Sequence, residues 1–187
     1  VDPAQRQALR QRLRELAEPV VDRCGAELVA VELTNEHGED VLRLFIDSPG
    51  GVSVGDCTRV SHAMSPVLDV HDPFPGRFRL EVSSPGMDRP VERRADLLRF
   101  TGFRARLRLT PRSGRRRFTG TLAGLDGDDL LFQVKDDLRR YPLTEVDRVR
   151  LVLDPDEYAR LGREGLPPVP PDAGDAPAPS QPDGTTP

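Results

Sequence analysis

Leu9, Leu13, Leu16 and Val20 recur at intervals of three and four, which sets them along one side of a helix. Arg6, Arg10 and Arg14 fall on the other side. Asp2-Pro3 offers a cap and a first-turn proline, so the helix is expected to run from there to about Cys24-Gly25, with a bend at Pro19. ELVAVEL (27–33) and VLRLFID (41–47) are β-rich runs around the turn-rich NEHGED, which is the pattern of a hairpin. SPGG (48–51) breaks the chain, and Ser53 can cap a second helix whose apolar side is Val54, Cys57, Val60 and Met64. Pro66 is expected to limit that helix, because proline has no N–H to donate. After the turn PFPG (73–76), RFRLEV (77–82) alternates like a half-buried strand. The order is αββαβ, which suits a two-layer arrangement with helices covering one sheet.

The texture changes beyond residue 90. RRADLLRF (93–100) predicts a short helical turn. FRARLRL (103–109) places Phe103, Ala105, Leu107 and Leu109 on one face and Arg104, Arg106 and Arg108 on the other. Further short strands are expected at 116–125, 129–134, 139–143 and 146–153, punctuated by Gly114, Gly124 and Gly127. Such a run of short strands without a long helix predicts a small β-barrel. Asp154-Pro155-Asp156-Glu157 starts one more helical turn. Eight prolines among the 23 residues from Gly165 to Pro187 predict a disordered tail.

Charge sharpens this division. The net charge of −4 on 187 residues conceals three blocks. Residues 1–90 hold 10 Arg against 15 Asp and Glu, residues 91–153 hold 15 Lys and Arg against 9 acids, and residues 154–187 hold 2 Arg against 7 acids. The expected organisation is therefore an α/β domain over 1–88, a barrel over 89–153, and a helical turn with tail over 154–187. No apolar run reaches the roughly 18 residues of a membrane span. The opening VDPAQRQALRQRLREL lacks the apolar core of a secretory signal. Cys24 and Cys57 are therefore expected as reduced thiols in a cytoplasmic protein.

The stretch EVSSPGMDRP (81–90) raises a choice between a nucleophile loop and a joint. Pro85-Gly86 suits the centre of a type II turn, Pro85 and Pro90 hold Ser84 and Arg89 extended, and Asp88 can accept backbone hydrogen bonds or pair with Arg89. A serine nucleophile needs a base, the histidines stand only at 37, 62 and 71, and GxSxG is absent. Ser83, Ser84, Pro85, Gly86, Asp88, Arg89 and Pro90 are thus read as a stiff junction, with no catalytic residue. SPGG is read as a strand-to-helix turn and not a P-loop, since Lys135 is the only lysine. GLDG (124–127) spells a KH-type GxxG but falls between strands, so a hairpin turn is expected. Cysteine and histidine spacing gives no metal set, and neither metal nor cofactor is expected.

FIDSPGGVSVGDC (45–57), DPFPGRFRLEVSSPGMDRP (72–90), RRFTGTLAG (116–124) and YPLTEVDRVRLV (141–152) together resemble the RimP family of ribosome maturation factors. The resemblance runs from about Leu9 to Leu153, with EVSSPG-x-DRP its most specific part. It departs at Met87, where leucine is common, and at Pro66, where an uninterrupted helix is usual. It implies an α/β domain followed by an SH3-like, or Sm-like, barrel. It further implies a non-enzymatic factor in late assembly of the small (30S) ribosomal subunit. Such a factor binds the immature subunit, both its RNA and a small-subunit ribosomal protein near the decoding region.

One signal stands apart from that resemblance. No acid occurs between Leu97 and Leu125, yet eight arginines do. Arg104, Arg106 and Arg108 share a strand face, and Arg112, Arg115, Arg116 and Arg117 crowd the loop after it. Such a face can simply be solvated, but the planar guanidinium also suits phosphate, so these seven are the candidate contacts to RNA or ribosomal protein. Aromatic residues are sparse, which argues against base stacking. A general RNA-binding module is the alternative reading; it binds unrelated RNA equally well. An enzyme acting on RNA or protein is the other rival, and it lacks a base or metal set. Nothing in the sequence calls for an oligomer, and a monomer is expected.

Overall fold

The computed structural model describes residues 3–48, 50–110 and 117–171 and is mixed α+β. The chain divides into two units, Val1–Pro90 with Leu153–Leu166, and Val91–Val152 with Pro167–Pro187.

In the first unit, α1 (Pro3–Arg23), β1 (Glu27–Glu36), β2 (Glu39–Asp47), α2 (Val54–His71) and β3 (Phe78–Ser83) follow in that order. β1 and β2 are antiparallel, joined at His37-Gly38, both of which take positive φ. β2 and β3 are parallel, so a crossover is required between them, and α2 supplies it. Leu13, Ala17, Val20 and Val21 of α1 join Val60, Met64 and Leu68 of α2 in one buried cluster with Leu28, Val31, Leu42, Leu44 and Ile46. Leu16 is only half-buried. The buried line of α1 therefore passes through Ala17 and Val21, where small side chains let the helix approach the sheet.

α2 starts where Ser53 accepts from the Asp56 N–H at 3.2 Å and the Asp56 carboxylate accepts from the Ser53 N–H at 2.9 Å. The Ser53 hydroxyl bond is also the main reason the Asp56 carboxyl is held below its usual range. The expected limit at Pro66 is corrected: α2 continues to His71 and ends at Asp72, whose left-handed backbone donates to Leu68 at 2.9 Å. A proline costs the carbonyl four residues earlier its partner, here His62. His62 and Pro66 both lie on the exposed side, where water can replace that bond. α1 likewise runs through the exposed Pro19 to Arg23.

The sheet face away from the helices is charged. Arg43 donates to Glu81 at 2.7 Å and to Glu36 at 3.1 Å, and Arg79 donates to Glu36 at 2.9 Å and to Glu81 at 3.0 Å. The hydrogen bond from Arg43 is the largest cause holding the Glu81 carboxyl below its ordinary range. The folded pKa is thus lower than the unfolded one. The stability this adds is present above the ordinary glutamate range and is lost as pH falls through the folded value. Urea midpoints taken from about pH 7 to about pH 3 check this. The gap between wild type and Glu81→Gln is expected to narrow on acidification; a constant gap refutes the linkage.

In the second unit β4 (Pro90–Val91), α3 (Arg94–Arg99), β5 (Arg104–Leu109), β6 (Arg117–Asp126), β7 (Asp129–Val134), β8 (Asp137–Pro142) and β9 (Val146–Leu151) form a six-stranded sheet with α3 packed on it. A 3₁₀ turn, Leu143–Glu145, precedes β9. The strand order is β4-β9-β5-β6-β7-β8. The expectation of a barrel needs correction here. Among the described residues the ladder is open, with the two-residue β4 and β8 at its edges, so hydrogen bonding does not close it. Ala105, Leu107, Leu109, Phe118, Leu122, Leu130, Phe132, Val149 and Leu151 are buried positions on its longer strands. Within and beside α3, the buried Asp96 accepts from Arg93 at 2.8 Å and Arg99 at 3.3 Å.

The helical turn expected at 154–157 is the start of a ten-residue helix, α4 (Pro155–Glu164). The Asp154–Glu157 capping box nucleates it, and Gly165 at φ 83 ends it. Of the tail, 165–171 is irregular chain; the expectation of disorder over 172–187 lies outside the described residues.

Candidate nucleic-acid interface

Alternation along β5 buries Ala105, Leu107 and Leu109 and turns Arg104, Arg106 and Arg108 the other way. The ladder fixes what stands beside them. Arg108 is registered with Arg117 on β6 and with Arg148 on β9; Arg106 is registered with Thr119 and with Arg150; Arg104 is registered with Thr121. Directly paired residues share a face. Six arginines from three adjacent strands therefore occupy one side of the sheet.

The acids that belong to these strands are few. Asp147 enters at the β9 bulge, where the register shifts between Arg108 and Leu109, and its carboxylate accepts from Arg108 Nε. Asp126 lies at the far end of β6 and is bonded by Arg140 of β8. Arg104, Arg106, Arg117 and Arg148 are exposed, and Arg108 and Arg150 are half-buried. The face is strongly positive.

Of the seven arginines singled out in the sequence, Arg104, Arg106, Arg108 and Arg117 come together here. Arg112, Arg115 and Arg116 lie outside the described residues. Arg148 and Arg150 were missed by sequence reasoning, although VDRVRLVL alternates and was read as a strand. The missing step was strand order: β9 is last in sequence but lies directly beside β5.

The junction residues hold a different arrangement from the one expected. Ser83 ends β3 beside Phe45, and its hydroxyl donates to the Ser84 carbonyl at 3.2 Å. The turn lies at Gly86-Met87 with Gly86 at φ 60. Gly86 thus takes the positive φ expected of it, and the turn falls one residue later than Pro85-Gly86. Arg89 is 5% exposed and its guanidinium pairs with Asp47 at the end of β2, and Asp88 is exposed. The Asp47 partner of Arg89 comes from 42 residues upstream. Pro90 is buried and opens β4.

The remaining motifs carry no site. Beyond SPGG, the Ser53 and Asp56 N–H groups at the start of α2 are met by its own capping box, and Ser48 Oγ donates to the Gly51 carbonyl at 2.6 Å. GLDG belongs mostly to β6; the β6–β7 turn falls at Gly127-Asp128. Burial pushes the Cys57 thiol up, away from the thiolate that metal binding needs. Among the described residues no three His, Cys, Asp or Glu side chains gather as ligands, and no helix is long and apolar enough to cross a membrane.

Residues 16–88 match the family model described as the RimP N-terminal domain. Over those residues the chain is similar to the RimP family. The members of this family are ribosome maturation factors. The matched RimP domain takes in the later part of α1, then β1, β2, α2 and β3, and stops one residue before Arg89. The arginine face lies in the part of the chain beyond the RimP match.

Proposed function

We propose that this chain is a RimP-family protein, a non-catalytic assembly factor that binds the immature small (30S) ribosomal subunit and promotes its late maturation. The observation that carries this reading is the arginine face of β9, β5 and β6, joined in one chain to a maturation-factor domain. Ribosomal RNA is the partner suited to that face, and a small-subunit ribosomal protein near the decoding region is the second partner. The second unit serves as an SH3-like module, and residues 83–90 act as a stiff junction leading into it. Ser83, Ser84 and Asp88 are structural. The protein works in the cytoplasm as a monomer, without cofactor or metal.

Such a factor favours one arrangement of RNA and protein only by binding it more tightly than the competing arrangements. Arginines on phosphate give affinity and position without reading sequence, so preference for the immature subunit comes from its shape and from protein contacts. Sucrose-gradient co-sedimentation tests this directly. The chain is expected with immature small subunits and largely absent from mature ones. Ser83→Ala/Ser84→Ala is expected to behave as wild type. Equal binding to both subunits and to unrelated RNA favours a general RNA-binding module instead.

A further inference from the structure

The arginine face has a shape as well as a charge. Neighbouring strands lie about 4.8 Å apart and alternate residues of one strand about 6.7 Å apart. Arg148, Arg108 and Arg117 therefore span about 10 Å across the sheet, and Arg104 to Arg108 span about 13 Å along it. Arg106 and Arg150 fill the middle row. The outward positions between them on β6 are Thr119 and Thr121, not aromatic residues.

We infer that this face binds base-paired RNA by lying across its wide, shallow groove, with arginines on the phosphates of both strands. The inference rests on the RNA-binding part of the functional reading above and names the form of RNA. Four properties lead to it. A single strand is held by aromatic platforms on which bases stack, and this face offers none. A duplex carries about twice the phosphate charge of a lone strand over the same length, and its two backbones run on either side of a groove. An array with width as well as length meets both of them, whereas a lone strand would follow a single row. A-form RNA also has a deep, narrow groove that a sheet cannot enter and a shallow one lined by 2′-hydroxyls. Thr119 and Thr121 put hydroxyl groups on the face that meets it. The exclusive use of arginine favours phosphate, which matches the guanidinium fork, over the carboxylates of an acidic protein at the same charge.

Fluorescence titration of the full chain tests this with four probes. They are a blunt RNA duplex of about 16 base pairs, one of its strands alone, the same duplex as DNA, and poly-glutamate. The RNA duplex is expected to bind about tenfold or more tightly than any of the others, with affinity falling steeply in salt. Arg104→Ala/Arg106→Ala/Arg150→Ala is expected to weaken duplex binding at least ~10-fold and to flatten the salt slope by about 3. The corresponding triple lysine variant keeps the charge and should keep the slope. Equal or tighter binding of the single strand, the DNA duplex or poly-glutamate overturns the assignment. So does wild-type duplex affinity in the alanine variant, or loss of the slope in the lysine variant. Co-sedimentation separates this from the functional reading. If wild type binds immature subunits but not the duplex, the inference fails and the assembly role stands. If wild type binds the duplex but does not distinguish immature subunits, the assembly role fails and the inference stands.

Discussion

Gly120→Ala is expected to destabilise the second unit by about 3 kcal/mol or more, the upper part of the range for overpacked cores. A Cβ at this position would lie 2.0 Å from the Gln133 carbonyl oxygen and 2.9 Å from Phe132 Cε1. The first of these is a backbone atom of β7, the strand paired to β6, so no rotamer change relieves the clash. The strands would have to separate beside Leu122 and Phe132, both fully buried. Gly162 in α4 provides the control, since a Cβ there meets nothing within 4 Å. Gly162→Ala should be neutral or stabilising by up to about 1 kcal/mol, as expected for an open helical position. Urea unfolding followed by circular dichroism decides between them. A Gly120→Ala midpoint within about 0.5 kcal/mol of wild type would mean that the strand crossing yields more easily than its geometry implies.

Arg89→Met carries the second large effect. The Arg89 side chain is 6% exposed and that of Asp47 is 17% exposed, so removing the cation leaves a carboxylate largely out of water. Breaking such a pair costs about 3–5 kcal/mol. Asp47 does more than pair with Arg89, because it also accepts from the Ser48 N–H at 2.8 Å and so shapes the exit from β2. Asp47→Asn is therefore also expected to destabilise the protein. The double variant Asp47→Asn/Arg89→Met should lose less than the sum of the two single variants, since neither charge is then stranded. Strict additivity in a double-mutant cycle would show that the two residues act independently, against the geometry described here.

The first unit was largely legible from periodicity. Two amphipathic helices and three β-rich runs separated by strong breakers left little freedom of order, and the αββαβ sequence of elements is what α1 to β3 follow. What failed there was local. Pro66 removes a hydrogen bond, but on the exposed side of α2, and the turn at Gly86 falls one residue later than the dipeptide Pro85-Gly86 suggests. The second unit was harder because its information is non-local. Strand positions could be read from alternation, but not that β9 lies between β4 and β5, which is what brings Arg148 and Arg150 beside Arg106 and Arg108. The Arg89–Asp47 pair was hidden for the same reason. Asp88 is adjacent in sequence, and nothing in the local pattern points to a residue at the end of β2.

The chain passes from the first unit at Pro90 and rejoins it at Leu153, whose N–H donates to the Met87 carbonyl at 3.2 Å. Topologically, Val91–Val152 is an insertion into a host whose last helix comes after it. A host cut at Pro90 would lack α4 and its lead-in strap. Excision should splice Pro90 to Leu153 through a short linker, and a foreign module grafted there would need neighbouring ends of its own.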